Sequence, residues 1–411
     1  MDAWTGILEQ RLAQLPCRVA LEWPGGRAGP LPAEVRLTLR AARWVGSLAR
    51  GQLGALGDAY VQGHLDIEGR MRDVMQVAAR LVRNPVRQQA PRPWLRCWQH
   101  LRSLRRHRQE QDARQVQFHY DVSDDFYALW LDPRRVYSCA YYAAADMSLA
   151  QAQEAKLEHI CRKLQLRPGL RLLDIGAGWG GLLLWAAEHH GVEAVGITLS
   201  HNQAEHVRRL IDARGLAGRV EVHLMDYRDL PETQGFDRIA SVGMCEHVGR
   251  AKLPGYFAKI ARLLKPGGLL LNHGITSGGL HHHQLDAGMG DFIERYIFPG
   301  GELAHVSRLA QCLGGAGLEL LDAENLRPHY ARTLWDWSDG LEAHLDEARA
   351  VTDERTVRAY RLYLAGCAMC FERGWISLYQ LLASRPSGSE TDGPMRGAQC
   401  DFPFNRSYMY G

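Results

Sequence analysis

One stretch decides the fold: Leu172-Leu173-Asp174-Ile175-Gly176-Ala177-Gly178-Trp179-Gly180-Gly181. It begins as an apolar run with an acidic residue near its end, and it continues as a loop rich in glycine. Glycine lets the backbone approach a ligand where a side chain would collide. The stretch therefore predicts a strand, a nucleotide-binding turn and the start of a helix.

The alternation of strand and helix continues beyond this stretch. From about Leu164 onward, short apolar runs alternate with helical patterns, which is typical of βα units around a parallel sheet. The predicted strands are Arg171–Ile175, Glu193–Ile197, Val220–Leu224, Arg238–Val242, Leu269–Asn272, Leu318–Asp322 and Ile376–Leu382. A helical insertion, Leu334–Arg373, separates the last two. We therefore expect an α/β fold, a Rossmann-like domain with a seven-stranded sheet.

Length predicts how the chain is divided. At 411 residues it is too long for one ordinary core. Residues 1–75 are predicted to form a small N-terminal α+β domain, with a strand at Glu34–Leu39 and a helix at Ala41–Ala49. A basic linker with helices follows over 76–115, then the large domain over 116–385 and a flexible tail over 386–411.

Composition predicts the compartment. The chain is 46% hydrophobic and 23% charged, as soluble globular proteins are. It has no run of eighteen or more apolar residues, and its N-terminus does not resemble a signal peptide. The nine cysteines are scattered and odd in number, which fits a reducing environment. We expect a cytoplasmic protein.

A basic segment precedes the large domain. Every charged residue from Arg80 to Arg108 is an arginine, and Trp94 and Trp98 lie among them. The segment is either a solvated linker or a surface that lies against anionic lipid headgroups. No recognition motif accompanies the charge, so a nucleic-acid partner is not expected. A lipid-facing surface would place the protein peripherally on the inner membrane surface, where a homodimer would present two such faces.

The position of Asp174 indicates which nucleotide the loop binds. An acidic residue just before the glycines favours S-adenosylmethionine. A dinucleotide site would place an acidic residue after the second strand, for the ribose hydroxyls. That position reads Gly196-Ile197-Thr198-Leu199-Ser200, without a carboxylate. After the third strand, Asp226 is placed either to accept from the adenine amino group or to cap a turn.

Seven segments occur in an order that points to a family. They are Phe118-His119-Tyr120-Asp121, Tyr137-Ser138-Cys139-Ala140-Tyr141, Asp174 to Gly181, Thr198-Leu199-Ser200 with Gln203, Met225-Asp226-Tyr227-Arg228-Asp229, Glu246-His247-Val248-Gly249 and Arg295-Tyr296-Ile297-Phe298-Pro299-Gly300-Gly301. Together they resemble the cyclopropane-fatty-acyl-phospholipid synthases, which are similar to the mycolic acid cyclopropane synthases. The resemblance covers residues 115–385 and, more weakly, Tyr60–Gly69. It implies a class I methyltransferase fold.

The resemblance implies a set of cofactor-binding residues. Gln203 and the backbone of Thr198 and Leu199 would make the ribose and adenine contacts, which accounts for the missing acid after the second strand. Tyr137 and Ser138 would close over the methionine part of the cofactor. The complete set is Tyr137, Ser138, Asp174, Gly176, Gly178, Gly180, Thr198, Leu199, Gln203, Asp226 and Tyr227.

The resemblance also implies the reaction, methyl transfer to the cis double bond of an unsaturated acyl chain in a membrane phospholipid. Because an acyl chain has no heteroatom to deprotonate, the site must rely on an electrophilic sulfonium and a dry, apolar slot. Aromatic faces stabilise the resulting carbocation. In the family, bicarbonate then removes the proton whose loss closes a cyclopropane ring. The residues that match its pocket are Cys139 and Ile275 through their backbones, and Glu246, His273 and Tyr330 through their side chains.

Other interpretations stay open at this point. A related fatty-acyl methyltransferase would quench the cation without ring closure and give a methyl-branched or methylene product. A lipid-binding scaffold would show a degraded cofactor loop, and a small-molecule methyltransferase would leave the basic segment without a purpose. No metal site is expected, because Cys367 and Cys370 fit buried thiols in a helix and His281-His282-His283 fits a loop near the acyl entrance.

Overall fold

The architecture follows from a computed structural model, which describes residues 2–82, 85–86, 103–104, 107, 123–233, 235–281, 285–386 and 403–410. Most of the basic segment lies outside the described residues, as do Phe118-His119-Tyr120-Asp121 and the pair His282-His283. Within the described part of the chain, no helix is both long and apolar enough to cross a membrane.

Short apolar strands build a mixed sheet in the N-terminal unit (residues 2–82). The strands are β1 (Val19–Trp23), β2 (Gly26–Ala28), β3 (Val35–Leu39) and β4 (Leu65–Glu68), in the order β2-β1-β3-β4. The helices are α1 (Asp2–Leu12), α2 (Arg43–Ala49), α3 (Leu53–Val61) and α4 (Met71–Leu81). In β3 every second residue is buried, and this alternation identifies the strand in the sequence. In α4 the buried residues Met71, Val74 and Met75 share one face.

The large sheet contains a strand at each of the seven predicted positions. They are β5 (Arg171–Ile175), β6 (Glu193–Thr198), β7 (Val220–Leu224), β8 (Phe236–Val242), β9 (Leu264–Ser277), β10 (Glu319–Asn325) and β11 (Ile376–Ser384). Their order is β10-β11-β9-β8-β5-β6-β7; β5 to β9 are parallel, and β11 is antiparallel to β9 and β10. This confirms the predicted α/β fold. The strand order reverses beside β5, where ligands bind in open α/β sheets.

The insertion and one strand differ from the prediction in extent. β9 is much longer than the predicted Leu269–Asn272, because pairing with β8 on one edge and β11 on the other satisfies its backbone. The helical insertion begins at Arg327 rather than Leu334, and a proline occupies the first turn, where its missing N–H has no consequence.

Helices cover the large sheet and form the insertion. Those described are α5 (Asp124–Ala128), α6 (Leu149–Lys163), α7 (Gly181–His190), α8 (His201–Ala213), α9 (Cys245–Val248), α10 (Leu253–Leu263), α11 (Met289–Tyr296), α12 (Val306–Gly315), α13 (Arg327–Ala343), α14 (Leu345–Val351) and α15 (Glu354–Glu372). The last three make up the insertion between β10 and β11. The aromatic residues Trp335 and Trp337 of α13 are buried.

Part of the predicted flexible tail packs on the large domain. Met409 is buried, and its carbonyl oxygen lies 2.9 Å from Nδ1 of His159 on α6. Arg406 forms an ion pair with Asp322 of β10 at 2.6 Å. Residues 403–410 are therefore attached to both α6 and β10.

The N-terminal unit packs against the insertion through a shared hydrophobic core and buried polar contacts. Arg358 of α15 donates to the Tyr60 carbonyl at 3.0 Å and pairs with Asp66 at 2.9 Å. Arg361 binds both carboxylate oxygens of Glu342, at 2.6 and 2.9 Å, and donates to the Tyr60 hydroxyl. These contacts tie the N-terminal unit to the insertion.

The Arg361 contact gives a stability prediction. Replacing Arg361 with Met leaves Glu342 and the Tyr60 hydroxyl without their partner, so the free energy of unfolding should fall by about 1–3 kcal/mol. Arg349 pairs with Asp346 and Glu354 at the surface, and Arg349→Met should change stability by less than about 1 kcal/mol. Urea unfolding measures both variants. An equal decrease in the free energy of unfolding for both variants would show that the Arg361 contacts do not stabilise the packing of the N-terminal unit on the insertion.

Candidate active site

The glycine loop between β5 and α7 is held against the end of β6. The backbone N–H groups of Gly176 and Ala177 both donate to the Ile197 carbonyl at 3.0 Å. Gly176 has φ +83°, and a Cβ there would lie 2.6 Å from Cγ of Met244, so only glycine fits. At Gly178 a Cβ would meet nothing within 4 Å. This side of the loop lines a cavity.

Two buried polar groups beside the loop lack hydrogen-bond partners among the described residues. Oε1 of Gln203 accepts from the Thr198 hydroxyl at 2.8 Å, but its Nε2 is unpaired. Oδ1 of Asp174 is unpaired as well. Both side chains are 2% exposed, and both line the cavity. Since a buried unpaired polar atom costs about 1–3 kcal/mol, the pair indicates a polar ligand where the predicted cofactor would lie.

A buried lysine that was not predicted belongs to this site. Lys156 of α6 lines the cavity, and its Nζ donates to Oγ of Ser138 at 2.9 Å. Burial lowers the pKa of Lys156 to about 8, against the opposing effect of Asp132 and Asp174. Burial also raises the pKa of Asp174 to about 7, which Lys156 opposes. A helical wheel could have found Lys156, because it follows Leu149 by seven residues and precedes Ile160 by four on the buried face of α6.

Five predicted cofactor residues lie outside the cavity wall. They are Gly180, Thr198, Leu199, Asp226 and Tyr227. The carboxylate of Asp226 accepts from the backbone N–H of Arg228 at 2.9 Å and from its guanidinium at 2.8 and 2.6 Å. Tyr227 packs edge-on against Tyr256, with ring centroids 4.8 Å apart. In this structure Asp226 therefore caps a turn, and its contact with adenine stays a prediction.

The predicted catalytic residues meet on the other side of the cavity. Glu246 lies on α9 after β8, and its Oε1 accepts from the backbone N–H of Ile275 at 2.6 Å. Its Oε2 accepts from the Cys245 thiol at 3.3 Å. Burial raises the pKa of Glu246, against the opposing effect of the Ile275 N–H. The N–H that was predicted to donate to bicarbonate is thus used to hold Glu246.

His273 of β9 presents a buried donor without a partner. Its Nδ1 lies 3.2 Å from Nε2 of Gln380, and with the amide in this orientation the neutral ring carries its proton on Nε2. Burial lowers the pKa of His273 well below its usual value, so the ring is neutral near pH 7. Nε2 has no hydrogen-bond partner in the described part of the chain, and His273 lines the cavity. His273 therefore offers a donor to the cavity that Glu246 also lines.

Cys139 and Tyr330 complete the predicted set. The Cys139 thiol is fully buried, and burial raises its pKa, so it stays protonated. It donates to the Ala140 carbonyl at 3.2 Å, which leaves only its backbone for a ligand. Tyr330 packs on Phe371 with ring centroids 4.7 Å apart. Both Cys139 and Tyr330 line the same cavity as Glu246 and His273.

Aromatic and aliphatic side chains form most of the remaining wall of a cavity of about 370 Å³, with Arg135, His247 and Glu294 among the other lining residues. The aromatic residues that line it are Tyr137, Trp179, Phe292, Phe298, Tyr330, Tyr363 and Phe371. The hydroxyl of Tyr137 donates to that of Tyr363 at 3.3 Å, so the two side chains meet at this wall. Their π faces can stabilise a cation, and the wall excludes water. Cys367 and Cys370 also line the cavity.

Comparison with known proteins agrees with this geometry. The model of the mycolic acid cyclopropane synthetase family matches residues 107–381. The chain belongs to this family. It is a methyltransferase that uses S-adenosylmethionine, as cyclopropane synthases and fatty acid methyltransferases do.

Two members of the family and one solved structure define the similarity. The chain is 42% identical over 398 residues to a probable fatty acid methyltransferase of Pseudomonas putida, with 96% of each chain covered. It is 39% identical over 280 residues to cyclopropane mycolic acid synthase 1 of Mycobacterium tuberculosis, covering 66% of this chain and 96% of the relative. The crystal structure of mycolic acid cyclopropane synthase CmaA1 with SAH and CTAB superposes with TM-score 0.62 and 37% identity, covering 66% and 98%.

The site residues of this family member fit S-adenosylmethionine. The unpaired Nε2 of Gln203 suits a ribose oxygen, and the open side of Gly178 admits the ligand beside the backbone. The carboxylate of Asp174 suits the positive charge of the methionine part. Ser138, held by Lys156, and Tyr137 lie on the same cavity.

The Asp174–Lys156 pair gives a pH prediction. With the pKa of Asp174 about 7, its carboxylate is mostly neutral below that pH, and a cationic ligand favours the ionised form. The affinity for S-adenosylmethionine should therefore rise with pH through about 7. In Lys156→Met the cation that lowers the pKa of Asp174 is lost, so the rise should shift to higher pH.

Titration calorimetry between pH 6 and 9 measures this affinity. The exposed Lys265, which pairs with Asp237, supplies the control, and Lys265→Met should reproduce the wild-type profile. Superimposable profiles for wild type and Lys156→Met would contradict the electrostatic link between Lys156 and Asp174.

Proposed function

We propose that the protein transfers the methyl group of S-adenosylmethionine to the cis double bond of unsaturated acyl chains in membrane phospholipids, and that bicarbonate-assisted deprotonation then closes a cyclopropane ring. One observation carries the proposal. A cavity with largely apolar and aromatic walls is lined, apart from the polar groups beside the cofactor loop, by Glu246 and by His273, whose Nε2 has no partner among the described residues.

The wall of the cavity supports an alkene as the methyl acceptor. When bound, S-adenosylmethionine supplies an electrophilic methyl group. Tyr137, Trp179 and Tyr363 exclude water and offer π faces to the positive charge that methyl transfer leaves on the acyl chain. His273 is neutral, but its Nδ1 faces Gln380 and its Nε2 carries the proton, so it serves as a donor rather than a base.

Glu246 and His273 together support a bound anion as the later base. A desolvated anion needs several converging donors, and the His273 Nε2–H is one that has no partner among the described residues. The carboxylate of Glu246 would accept the O–H of bicarbonate, while the Ile275 N–H holds Glu246 in position. The Cys139 backbone and the Tyr330 hydroxyl are further donors on the same wall. Ile275 thus acts on Glu246 in this proposal, and not on the anion directly.

The phospholipid part of the proposal is supported by the basic segment. Nine arginines and two tryptophans lie between Arg80 and Arg108, a composition that suits an anionic lipid surface. The protein would then act as a peripheral membrane enzyme, taking one acyl chain from the bilayer into the cavity.

The role of Glu246 can be tested by a nearly isosteric change. Gln at position 246 keeps an oxygen for the Ile275 N–H but loses the anionic acceptor, so Glu246→Gln should lower kcat by about 100-fold or more. The affinity for S-adenosylmethionine and the melting temperature should stay unchanged. Burial raises the pKa of Glu246, so wild-type kcat should fall as the pH drops through that raised pKa. The residual activity of the variant should lack this acid limb.

A steady-state assay with unsaturated phospholipid vesicles and added bicarbonate measures these effects. Glu221 lies exposed on β7, away from the cavity, and Glu221→Gln is the matched control with expected wild-type kinetics. Near-normal turnover in a correctly folded Glu246→Gln variant would exclude Glu246 from the reaction.

A second candidate is a fatty-acyl methyltransferase that gives a methyl-branched or methylene product. It is favoured by the Pseudomonas putida relative, which matches 96% of this chain and is named a probable fatty acid methyltransferase. In the second candidate the same cation would lose a different proton to give a methylene group, or would take a hydride from an external reductant to give a methyl branch. Expression in a host without cyclopropane lipids, followed by mass spectrometry of cleaved acyl chains, separates a ring from a branch or a methylene group.

A further inference from the structure

The cavity continues from the catalytic site into the N-terminal unit. Strands β1, β3 and β4 and helices α2, α3 and α4 all contribute to its wall. Representative lining residues are Leu21, Val35, Leu37, Leu56, Val74 and Met75. Every residue that this unit contributes is aliphatic, methionine or glycine, without a polar side chain among the lining residues described. We call this part of the cavity the distal compartment.

Helix α15 connects the distal compartment with the catalytic site. Tyr363 contacts Tyr137 in the catalytic part, at 3.3 Å between hydroxyls. The adjacent Leu362 lies 3.7 Å from the place of a Cβ on Gly57, in α3 of the N-terminal unit. Gly366 lines the cavity one turn further along, where a Cβ would meet nothing within 4 Å. An extended chain can therefore pass along one face of α15 from one compartment to the other.

The joint between the two compartments is tightly packed. The Gly54 N–H donates to the Ala287 carbonyl at 2.9 Å, and a Cβ on Gly54 would lie 2.2 Å from the Gly288 carbonyl oxygen. Arg295 of α11 pairs with Asp58 of α3 at 2.8 Å. This packing fixes the distance between the end of the distal compartment and the residues Glu246 and His273.

We propose that the N-terminal unit is an acyl-chain compartment that takes the methyl end of the substrate chain and so selects the distance between the double bond and that end. This inference rests on the proposed function, since it takes an acyl chain as the substrate. The ester and headgroup need polar partners, which the lining of the distal compartment does not offer, so they stay at the other end. Methylene groups, in contrast, gain free energy from each increment of apolar burial.

The comparisons are consistent with a role in selection rather than in chemistry. The family model begins at residue 107, so it does not include the N-terminal unit. The Pseudomonas putida fatty acid methyltransferase matches 96% of this chain, whereas the mycolic acid synthase matches 66%. The distal compartment therefore accompanies only part of the family.

A plug in the distal compartment tests the proposal. Ala78 of α4 lines it and is only half-buried, so Ala78→Phe should shorten the space for the methyl end. Vesicles carry palmitoleoyl, cis-vaccenoyl or oleoyl chains. From the double bond to the methyl end, palmitoleoyl and cis-vaccenoyl chains have the same length, and the oleoyl chain is longer. From the double bond to the carboxyl end, palmitoleoyl and oleoyl chains have the same length. The plug should lower kcat/KM for oleoyl by about tenfold relative to both others, the loss expected when two methylene groups cannot be buried.

Several controls separate this proposal from the proposed function. Gln76→Phe places the same ring on the exposed face of α4 and should leave the ratios unchanged. Melting temperature and S-adenosylmethionine affinity show whether Ala78→Phe is correctly folded. If it is not, Ala78→Leu replaces it as a smaller plug. Displacement of cis-parinaric acid by each chain reports occupancy without methyl transfer, and its ranking should change in the same way.

The outcomes point in different directions. Unchanged ratios in both Ala78 variants would overturn the distal compartment while leaving the proposed function intact. A selective decrease in kcat/KM for cis-vaccenoyl chains would show that the carboxyl end of the acyl chain lies in the distal compartment. This result would also overturn the proposal. If no chain is methylated by the wild type but the plug changes parinarate displacement as expected, the compartment stands and the proposed function fails.

Discussion

Desolvation at one edge of the sheet is the constraint on which the rest of this protein depends. β5, β8 and β9 end near the same edge, so Asp174, Glu246 and His273 reach one cavity although they are far apart in sequence. The apolar walls exclude water from these side chains, so each polar atom needs a hydrogen-bond partner in the protein or in a ligand. Glu246 finds the Ile275 N–H, whereas Nε2 of His273 does not find a partner among the described residues. The unpaired atoms mark where ligands fit.

The large domain could be predicted from the sequence because its strands are buried on both faces and read as short apolar runs, as Arg171–Ile175 does. β9 was underestimated at both ends. At its start, Lys265 and the glycines interrupt the apolar pattern and the pairing with β8 is irregular; at its other end, pairing with β11 extends it to Ser277. Of the strands of the N-terminal unit, only β3 was predicted. β1 pairs with β3, and β4 pairs with β3 from some thirty residues away, so their existence depends on contacts that local patterns do not contain.

The site could be predicted in part through family resemblance. The resemblance supplied the residues, and the structure brings Cys139, Glu246, His273, Ile275 and Tyr330 to one cavity region. It could not show which groups pair by hydrogen bonds, because pairing depends on ångström-scale geometry. The Ile275 N–H donates to Glu246, and the Asp226 carboxylate accepts from Arg228. The distal compartment could not be predicted from the sequence, because it forms only when the N-terminal unit packs on α15.

The central claim is that the methyl acceptor is an alkene carbon and that an anion removes the next proton. Incubation with S-adenosylmethionine carrying a trideuterated methyl group, with unsaturated phospholipid vesicles and with or without bicarbonate, tests it most directly. The account predicts acyl chains with a cyclopropane ring that retains two of the three deuterium atoms, formed faster when bicarbonate is present. Label in a headgroup or in the free fatty acid carboxyl, with unlabelled acyl carbons, would contradict it.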